Sequence, residues 1–538
     1  MATPDSTIGE PSFGGMSRRN FLEKLSMLGG TALMTVGMDA LGFSTASAAV
    51  APPMLTGGGK GKSVIVIGTG VAGMTSAYEL SEAGYNVTLL EGRNRVGGRS
   101  FTARHGTVQT EVGGETITCD FDDDPKMYIN GGPWRIPYWH RGYLHYAKKF
   151  AMPVELFNND NDHSYIDFEK GKGPLGGKPV RKREIAADMR GYADEMLAKQ
   201  VRQGALDSEF TPGDKELFLD YLRSEGYLTR NDYKYLGAEG RTPDVYPGAG
   251  LDPGPGKEST PYKLTDILKS NTWQVLKSVT ALDMQRTMFE PVNGMEQLPL
   301  HFRKNLKVQV RLEHNVKKIS QTPTSVTVHF LDGAGKEGTV TADYCVCTIP
   351  LPVLRTVELD VPAKFKEAMG GVSYALVGKC GLQMKTRFWE DNHHIYGGHI
   401  YTDDPMISTI SVPSSNWLGQ KGVLLGFYPH GAAAARISAM SQADRRKYAL
   451  AGGQKYFPEY TASNDGFFSI CWHRVPFNMG GWAEWTEEGR AKYYPTLLEP
   501  QGRLVLAGEH LSYLTGWQEG GIESAWQQIA KVHKMAMA

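Results

Sequence analysis

The chain has 538 residues, more than one ordinary domain holds, so two or three are expected. Lys plus Arg and Asp plus Glu both number 58, a balance that gives no electrostatic case for nucleic acid or for an anionic membrane surface. Its 63 glycines and 29 prolines suit a loop-rich α/β enzyme, and no internal repeat is visible.

Residues 1–50 read as a targeting segment and not as part of the fold. Ser17-Arg18-Arg19-Asn20-Phe21-Leu22-Glu23-Lys24 resembles a twin-arginine export signal. An apolar stretch from Leu25 to Phe43 follows, and Ala46-Ser47-Ala48 offers a cleavage site. Gly29, Gly30, Gly37 and Asp39 make that stretch a poor membrane anchor, and no later stretch is long and apolar enough to span a bilayer. A protein exported folded, to the periplasm or beyond, without stable membrane insertion, is the expectation.

Ser63 to Ile67 is a short β-branched run, the composition of a buried parallel strand. Gly68-Thr69-Gly70-Val71-Ala72-Gly73 follows, Met74 to Ala83 reads as a helix, and Asn86 to Leu90 as a second strand ended by Glu91. The first glycine permits a tight turn, the second lets backbone approach a pyrophosphate, and the third allows helix to pack closely on strand. An acid at the end of the second strand can accept hydrogen bonds from an adenosine ribose. Strand, turn, helix, strand and acid in this order predict a dinucleotide-binding fold.

Glu91-Gly92-Arg93-Asn94-Arg95-Val96-Gly97-Gly98-Arg99 narrows the dinucleotide. Arginines can bracket a pyrophosphate while a glycine pair admits the cofactor closely. The pattern resembles the second fingerprint of the flavin amine oxidase superfamily, which favours FAD over NAD. A further glycine-pair turn, Glu111–Ile117, is expected near the cofactor, and an acidic loop runs from Asp120 to Asp124.

Asn130-Gly131-Gly132-Pro133-Trp134-Arg135-Ile136-Pro137 resembles a motif of flavin-dependent L-amino acid oxidases, and the helix-like stretch from His140 to Phe150 continues the match. The resemblance implies that Arg135 grips a substrate carboxylate, which a guanidinium fork matches bidentately. It also places Gly132, Pro133, Trp134 and Arg135 beside the cofactor.

Between Gly171 and Pro261, helical patterns at Arg183–Arg202 and Asp214–Ser224 alternate with the Gly/Pro-rich run Tyr246–Gly256, which reads as an inserted helical subdomain. Lys263 to Gln285 is expected to be largely helical. Gln285 to Met295 resembles the stretch that returns the family's chain to its FAD domain. Asn293 stands where the family more often has glycine, and Asn tolerates left-handed backbone.

Val308–Ile319 and Val326–Leu331 alternate like paired strands, and Asp332–Gly335 reads as a turn after the second. Val316 resembles the residue whose backbone meets adenine. Ala342 to Pro350 reads as a buried strand ending near FAD. Of the five cysteines (Cys119, Cys345, Cys347, Cys380, Cys471), none forms a CxxC pair, and buried thiols are expected.

Residues 356–497 are strand-like and aromatic, as for a sheet above a flavin. Lys379, placed before Phe388-Trp389, matches the family lysine that holds a water against flavin N5. Phe427 or Tyr428, Trp482 and Trp517 fall where relatives line the substrate pocket. Trp482 follows Gly480-Gly481, where monoamine oxidases carry the cysteine that bonds FAD, so a non-covalent cofactor is implied. Arg503 to His510 reads as a strand ending in Gly508-Glu509, and Thr515 to Ile522 opens a helix. By resemblance Glu509 bonds the ribitol, while Gly516, Trp517, Gln518 and Ile522 meet the flavin. A helix start there favours negative charge on the ring.

The resemblance implies an α/β fold: a discontinuous Rossmann-like FAD-binding domain (61–115, 284–355, 498–538), a mixed-sheet substrate domain (116–170, 262–283, 356–497) and the helical insertion (171–261). It implies an L-amino acid oxidase that transfers the α-hydrogen as hydride to flavin N5 and yields 2-oxo acid, ammonia and H2O2. Arg135, Lys379 and Trp517 would carry the chemistry, with L-amino acid and O2 as partners, no metal, and a homodimer as relatives commonly form. A decarboxylating amino-acid monooxygenase and an amine or polyamine oxidase share the fold and remain alternatives. No general base stands out; His163, His314, His473 and His510 qualify by residue type only.

Overall fold

A computed structural model describes residues 51–538 except 58, 238, 239 and 280, so the export signal read in residues 1–50 lies outside the described residues. The strand Ser63–Ile67 is at the middle of a five-stranded parallel sheet. Asn86–Leu90 and then Val310–Arg311 lie to one side, Tyr344–Cys347 and then Leu504–Leu506 to the other. Val64, Ile65 and Val66 are fully buried, which explains the unbroken apolar run: both faces of this sheet are covered. Helices Val71–Glu82 and Gln518–Met537 pack against each other over it.

The first helix begins at Val71, three residues before the expected Met74. Gly70 is its extended N-cap, and the Met74 amide already donates to the Gly70 carbonyl at 2.9 Å. Gly73 is therefore inside the first turn, where a Cβ would lie 1.9 Å from the Gly68 oxygen. Only glycine allows that approach of helix to strand.

The run expected as one strand from Val308 to Ile319 is divided. Val310–Arg311 extends the parallel sheet, while Asn315–Gln321 pairs with Val326–Leu331 in a separate four-stranded sheet. The bend between them has Glu313 at φ 60°, and the Glu313 and His314 amides donate to the Arg93 and Glu91 carbonyls. Lys263–Gln285 is likewise interrupted: the α-helix Leu264–Ser270 ends at left-handed Asn271, and a 3-10 helix Thr272–Val279 follows. Asn293 does take the left-handed conformation, at φ 68°.

A seven-stranded mixed sheet runs Asn464–Cys471, Gly378–Met384, Gly422–Phe427, Thr409–Ser411, His399–Thr402, Tyr165–Asp167, Val180–Arg181. On Gly378–Met384, Cys380, Leu382 and Met384 enter the hydrophobic core with Phe388, Trp389 and Phe427. The period of two then turns Lys379 to the opposite face. Helices Lys182–Arg202 and Pro212–Glu225 pack through Ala187, Ala198, Leu219 and Leu222. All five cysteines are buried and free. No helix among the described residues is long and apolar enough to cross a membrane.

Candidate active site

Two cavities, of about 140 and 540 Å³, adjoin at the end of the parallel sheet and share Gly70, Arg99 and Thr348 as lining. Gly68, Glu91, Gly92, Arg93, Gly98 and Val316 all line the smaller one. Glu91 holds its turn together: one carboxylate oxygen accepts from the Thr69 amide (2.9 Å) and hydroxyl (2.6 Å), the other from the Arg93 amide (2.9 Å). Arg93 is turned toward residues 476–478, donating to the Pro476 carbonyl at 2.6 Å and to Asn478. Arg95 stands outside both cavities, its guanidinium 4.5 Å above the Phe101 ring.

The larger cavity gathers Val71 and Ala72, the stretch Gly132 to Arg135, Lys379, Tyr428 and Trp482, and Gly508, Glu509, Gly516, Trp517 and Gln518 from near the C-terminus. Three predicted placements are corrected. Phe427 is fully buried in the hydrophobic core, because the alternation that points Tyr428 into the cavity points its neighbour away. Ile522 is buried beneath the helix start, against Gly142, and lines neither cavity. Gly73 lines neither cavity and packs helix on strand, the role its place in the turn implies. The Glu111–Ile117 turn lines neither cavity; Glu111 there forms a buried bidentate pair with Arg445 (2.9 and 2.7 Å).

The residues present fit a flat, polar cofactor. A Cβ on Gly132 would lie 1.7 Å from the Arg99 carbonyl, and one on Gly70 would point into open space, so glycine shapes the passage between the two cavities. Arg99 donates to Glu509 at 2.8 Å and to the Gly481 carbonyl at 2.7 Å. The helix Gln518–Met537 starts at the cavity without a side-chain cap, and the buried Gln518 Oε1 has no partner among the described residues. The uncapped backbone N–H groups at this helix start would donate to an electron-rich ring edge, while the Gln518 oxygen would accept from a ring N–H.

Arg135 is held by its loop. The Trp472 indole donates to the Gly131 carbonyl at 2.7 Å, and Ile136 exchanges two backbone hydrogen bonds with Phe289. The guanidinium lies 4.9 Å from the Trp134 ring centre and touches Met284 Sδ at 3.0 Å, while its buried Nε has no partner. No carboxylate pairs with it among the described residues. Desolvation pulls its pKa below the ordinary arginine value. Lys379 is only 3% exposed; its amine donates to the Gly132 carbonyl at 2.5 Å and to Asn130 at 3.3 Å. Burial, and secondarily Arg135, push its pKa well below the usual lysine value.

Two histidines line the cavity that no sequence motif marks, His399 and His430. His399 stacks on Trp134 at 4.7 Å, with Nδ1 2.9 Å from Ser411 and Nε2 3.1 Å from Asn159 Oδ1. The Asn159 amide nitrogen donates to the Gln285 carbonyl, which orients its oxygen toward His399 and assigns the imidazole proton to Nε2. Burial and then Arg135 hold this ring well below the usual histidine pKa. His430 lies 4.5 Å from Tyr428 and 5.8 Å from Trp482, depressed by burial and then Lys379. Of the four histidines proposed by type, His314 lines the smaller cavity, and His163, His473 and His510 line neither.

A parallel dinucleotide sheet whose glycine turn opens onto an aromatic cavity with buried cations defines a flavin-dependent oxidoreductase. The chain belongs to the flavin containing amine oxidoreductases, whose family model matches residues 71–532, and is an FAD-dependent enzyme acting on amino groups. It is 28% identical over 497 residues to the putative L-amino-acid oxidase YobN of Bacillus subtilis (strain 168), covering 88% of this chain and 95% of that one. L-amino acid oxidase Lm29 of Lachesis muta is also 28% identical, over 88% of this chain and 87% of its own. Cyclohexylamine oxidase from Brevibacterium oxydans IH-35A shares the fold at a TM-score of 0.58 and 15% identity, covering 89% and 100% of the two chains. Putrescine oxidase bound to putrescine does so at 0.57 and 18%, covering 87% and 98%.

Proposed function

We propose that the protein is an L-amino acid oxidase, converting an L-amino acid, O2 and water to 2-oxo acid, ammonia and H2O2. The observation that carries this reading is Arg135: a guanidinium held in the cavity wall with no carboxylate paired to it among the described residues. A cation desolvated without a partner is costly, and a substrate carboxylate would relieve that cost. An amine substrate would leave it standing. The names of the curated relatives support the same substrate class.

Bound FAD would supply the redox chemistry, accepting hydride from the substrate Cα and returning electrons to O2. Arg135 would fix the carboxylate and so orient the Cα. Tyr428, Trp482 and Trp517 would wall the substrate and exclude water. Lys379, its charge disfavoured by burial, would hold a water at the reaction centre. The cofactor would rest on the glycine turn from Gly68, on Glu91 and Arg93, on Gly98 and Arg99, and on the helix start at Gln518. No cysteine lines either cavity among the described residues, which supports non-covalent binding.

Further parts of the reading are a twin-arginine export signal in residues 1–50, delivery to the periplasm or medium, and a homodimer. The division proposed is an FAD-binding domain of 61–115, 284–355 and 498–538, a substrate domain of 116–170, 262–283 and 356–497, and a helical insertion of 171–261.

The test is a screen of the purified flavoprotein against the twenty L-amino acids, their D-enantiomers and a panel of amines. Peroxide, ammonia and 2-oxo acid are assayed together. Turnover of L-amino acids with all three products is expected. Turnover of amines alone would overturn the reading, and amide with CO2 would point to a monooxygenase.

A further inference from the structure

Two acids line the larger cavity, Glu509 and Asp283. Glu509 is committed: it pairs with Arg99 and accepts from the Ala483 and Gly516 amides at 3.3 and 3.4 Å. Asp283 makes no ion pair or hydrogen bond among the described residues. Its position is nonetheless fixed from both sides. The Trp139 indole donates to the Leu282 carbonyl at 3.2 Å, Met284 Sδ contacts Arg135, and Asn159 donates to the Gln285 carbonyl at 3.0 Å. Asp283 is near enough to Arg135 to act on its charge, yet does not pair with it.

The cavity thus presents an uncommitted cation and an uncommitted anion on one wall. A zwitterion whose side chain ends in a further cation would match both. We infer that Asp283 makes the site selective for L-amino acids with a cationic side chain, Arg135 taking the α-carboxylate and Asp283 the distal ammonium or guanidinium. An acidic side chain would meet Asp283 with like charge. An apolar one would cover the carboxylate without pairing it, which disfavours binding by both routes of discrimination. This rests on the amino acid oxidase reading and names its substrate class.

A competing role is that Asp283 only moderates the charge of Arg135. In that case its removal alters all amino acids alike, because every one carries the same α-carboxylate.

The experiment compares kcat/KM of the flavin-loaded enzyme for L-lysine, for L-norleucine (lysine without its ε-ammonium) and for L-glutamate. Wild type is expected to favour lysine over norleucine by roughly five- to tenfold, the scale of one partly screened ion pair, and to disfavour glutamate. Asp283→Asn should bring the lysine-to-norleucine ratio close to one, and Asp283→Lys should raise glutamate relative to lysine. A wild-type preference for norleucine, or a ratio unchanged in Asp283→Asn, overturns the inference while leaving an amino acid oxidase in place. Failure of wild type to oxidise any amino acid removes the inference together with the reading beneath it.

Discussion

The Lys379 amine donates to the Gly132 carbonyl at 2.5 Å, which ties the seven-stranded sheet to the loop carrying Arg135. The support of one cation is therefore the loop of the other, and Arg135 adds to the burial that disfavours charge on Lys379. Lys379→Met should preserve volume and lose the amine. If Lys379 holds a water at the reaction centre, a half-reaction of the flavin slows by about 100-fold, the scale of one positioned proton-handling group. Stopped-flow traces of anaerobic reduction and of reoxidation by O2 check this; unchanged rates in both would make Lys379 structural only.

Arg99 and Glu509, paired at 2.8 Å, join the second glycine-rich fingerprint to the last strand of the parallel sheet. Arg99→Ala leaves the Glu509 carboxylate mostly buried and without its cation. A loss of about 3 kcal/mol in stability is expected, together with loss of flavin. Urea unfolding and the ratio of visible to ultraviolet absorbance read the two effects separately.

Glu519, near the start of the last helix, accepts from the Gly142 and Tyr143 amides at 2.6 and 2.7 Å, and burial raises its pKa to about 7. Between about 4.5 and 7 the folded protein holds a proton that the unfolded chain has released. The stabilisation is therefore full below 4.5 and is lost as pH rises toward 7, about 3 kcal/mol in all. Glu519→Gln should flatten this dependence. Denaturation midpoints measured from pH 4.5 to 8 in both proteins give the comparison, and parallel curves would contradict it.

The cofactor is expected to leave the protein intact. Acid precipitation should release all the FAD into the supernatant; flavin retained in the pellet would mean a covalent attachment.

What the sequence made legible was local. The turn Gly68–Gly73 and Glu91 lie within one strand-helix-strand unit, so their joint placement follows from spacing alone. Arg135 was legible for the same reason, as one residue in a proline-bounded loop. His399 and Asp283 were not, because each reaches the cavity through strand pairing or loop docking across long separations. The misplacement of Phe427 is of another kind. It belongs to the right stretch, but a period of two puts adjacent residues on opposite faces, and composition does not say which face is core. The early start of the first helix and the break at Glu313 both reflect backbone geometry, which residue identity constrains only loosely.

The central claim is that Arg135 selects a carboxylate-bearing substrate. Truncating one partner of a buried, hydrogen-bonded charge pair costs about 2–5 kcal/mol, or roughly 30-fold to several thousand-fold in affinity. Arg135→Lys should recover only part of that, since an ammonium cannot reproduce the fork. The direct measurement is the ratio of kcat/KM for an L-amino acid to that for the matching decarboxylated amine, in wild type and in Arg135→Ala with equal flavin content. The account predicts that this ratio collapses in the variant; a ratio that stays the same would mean that the carboxylate is held elsewhere, or that the substrate has none.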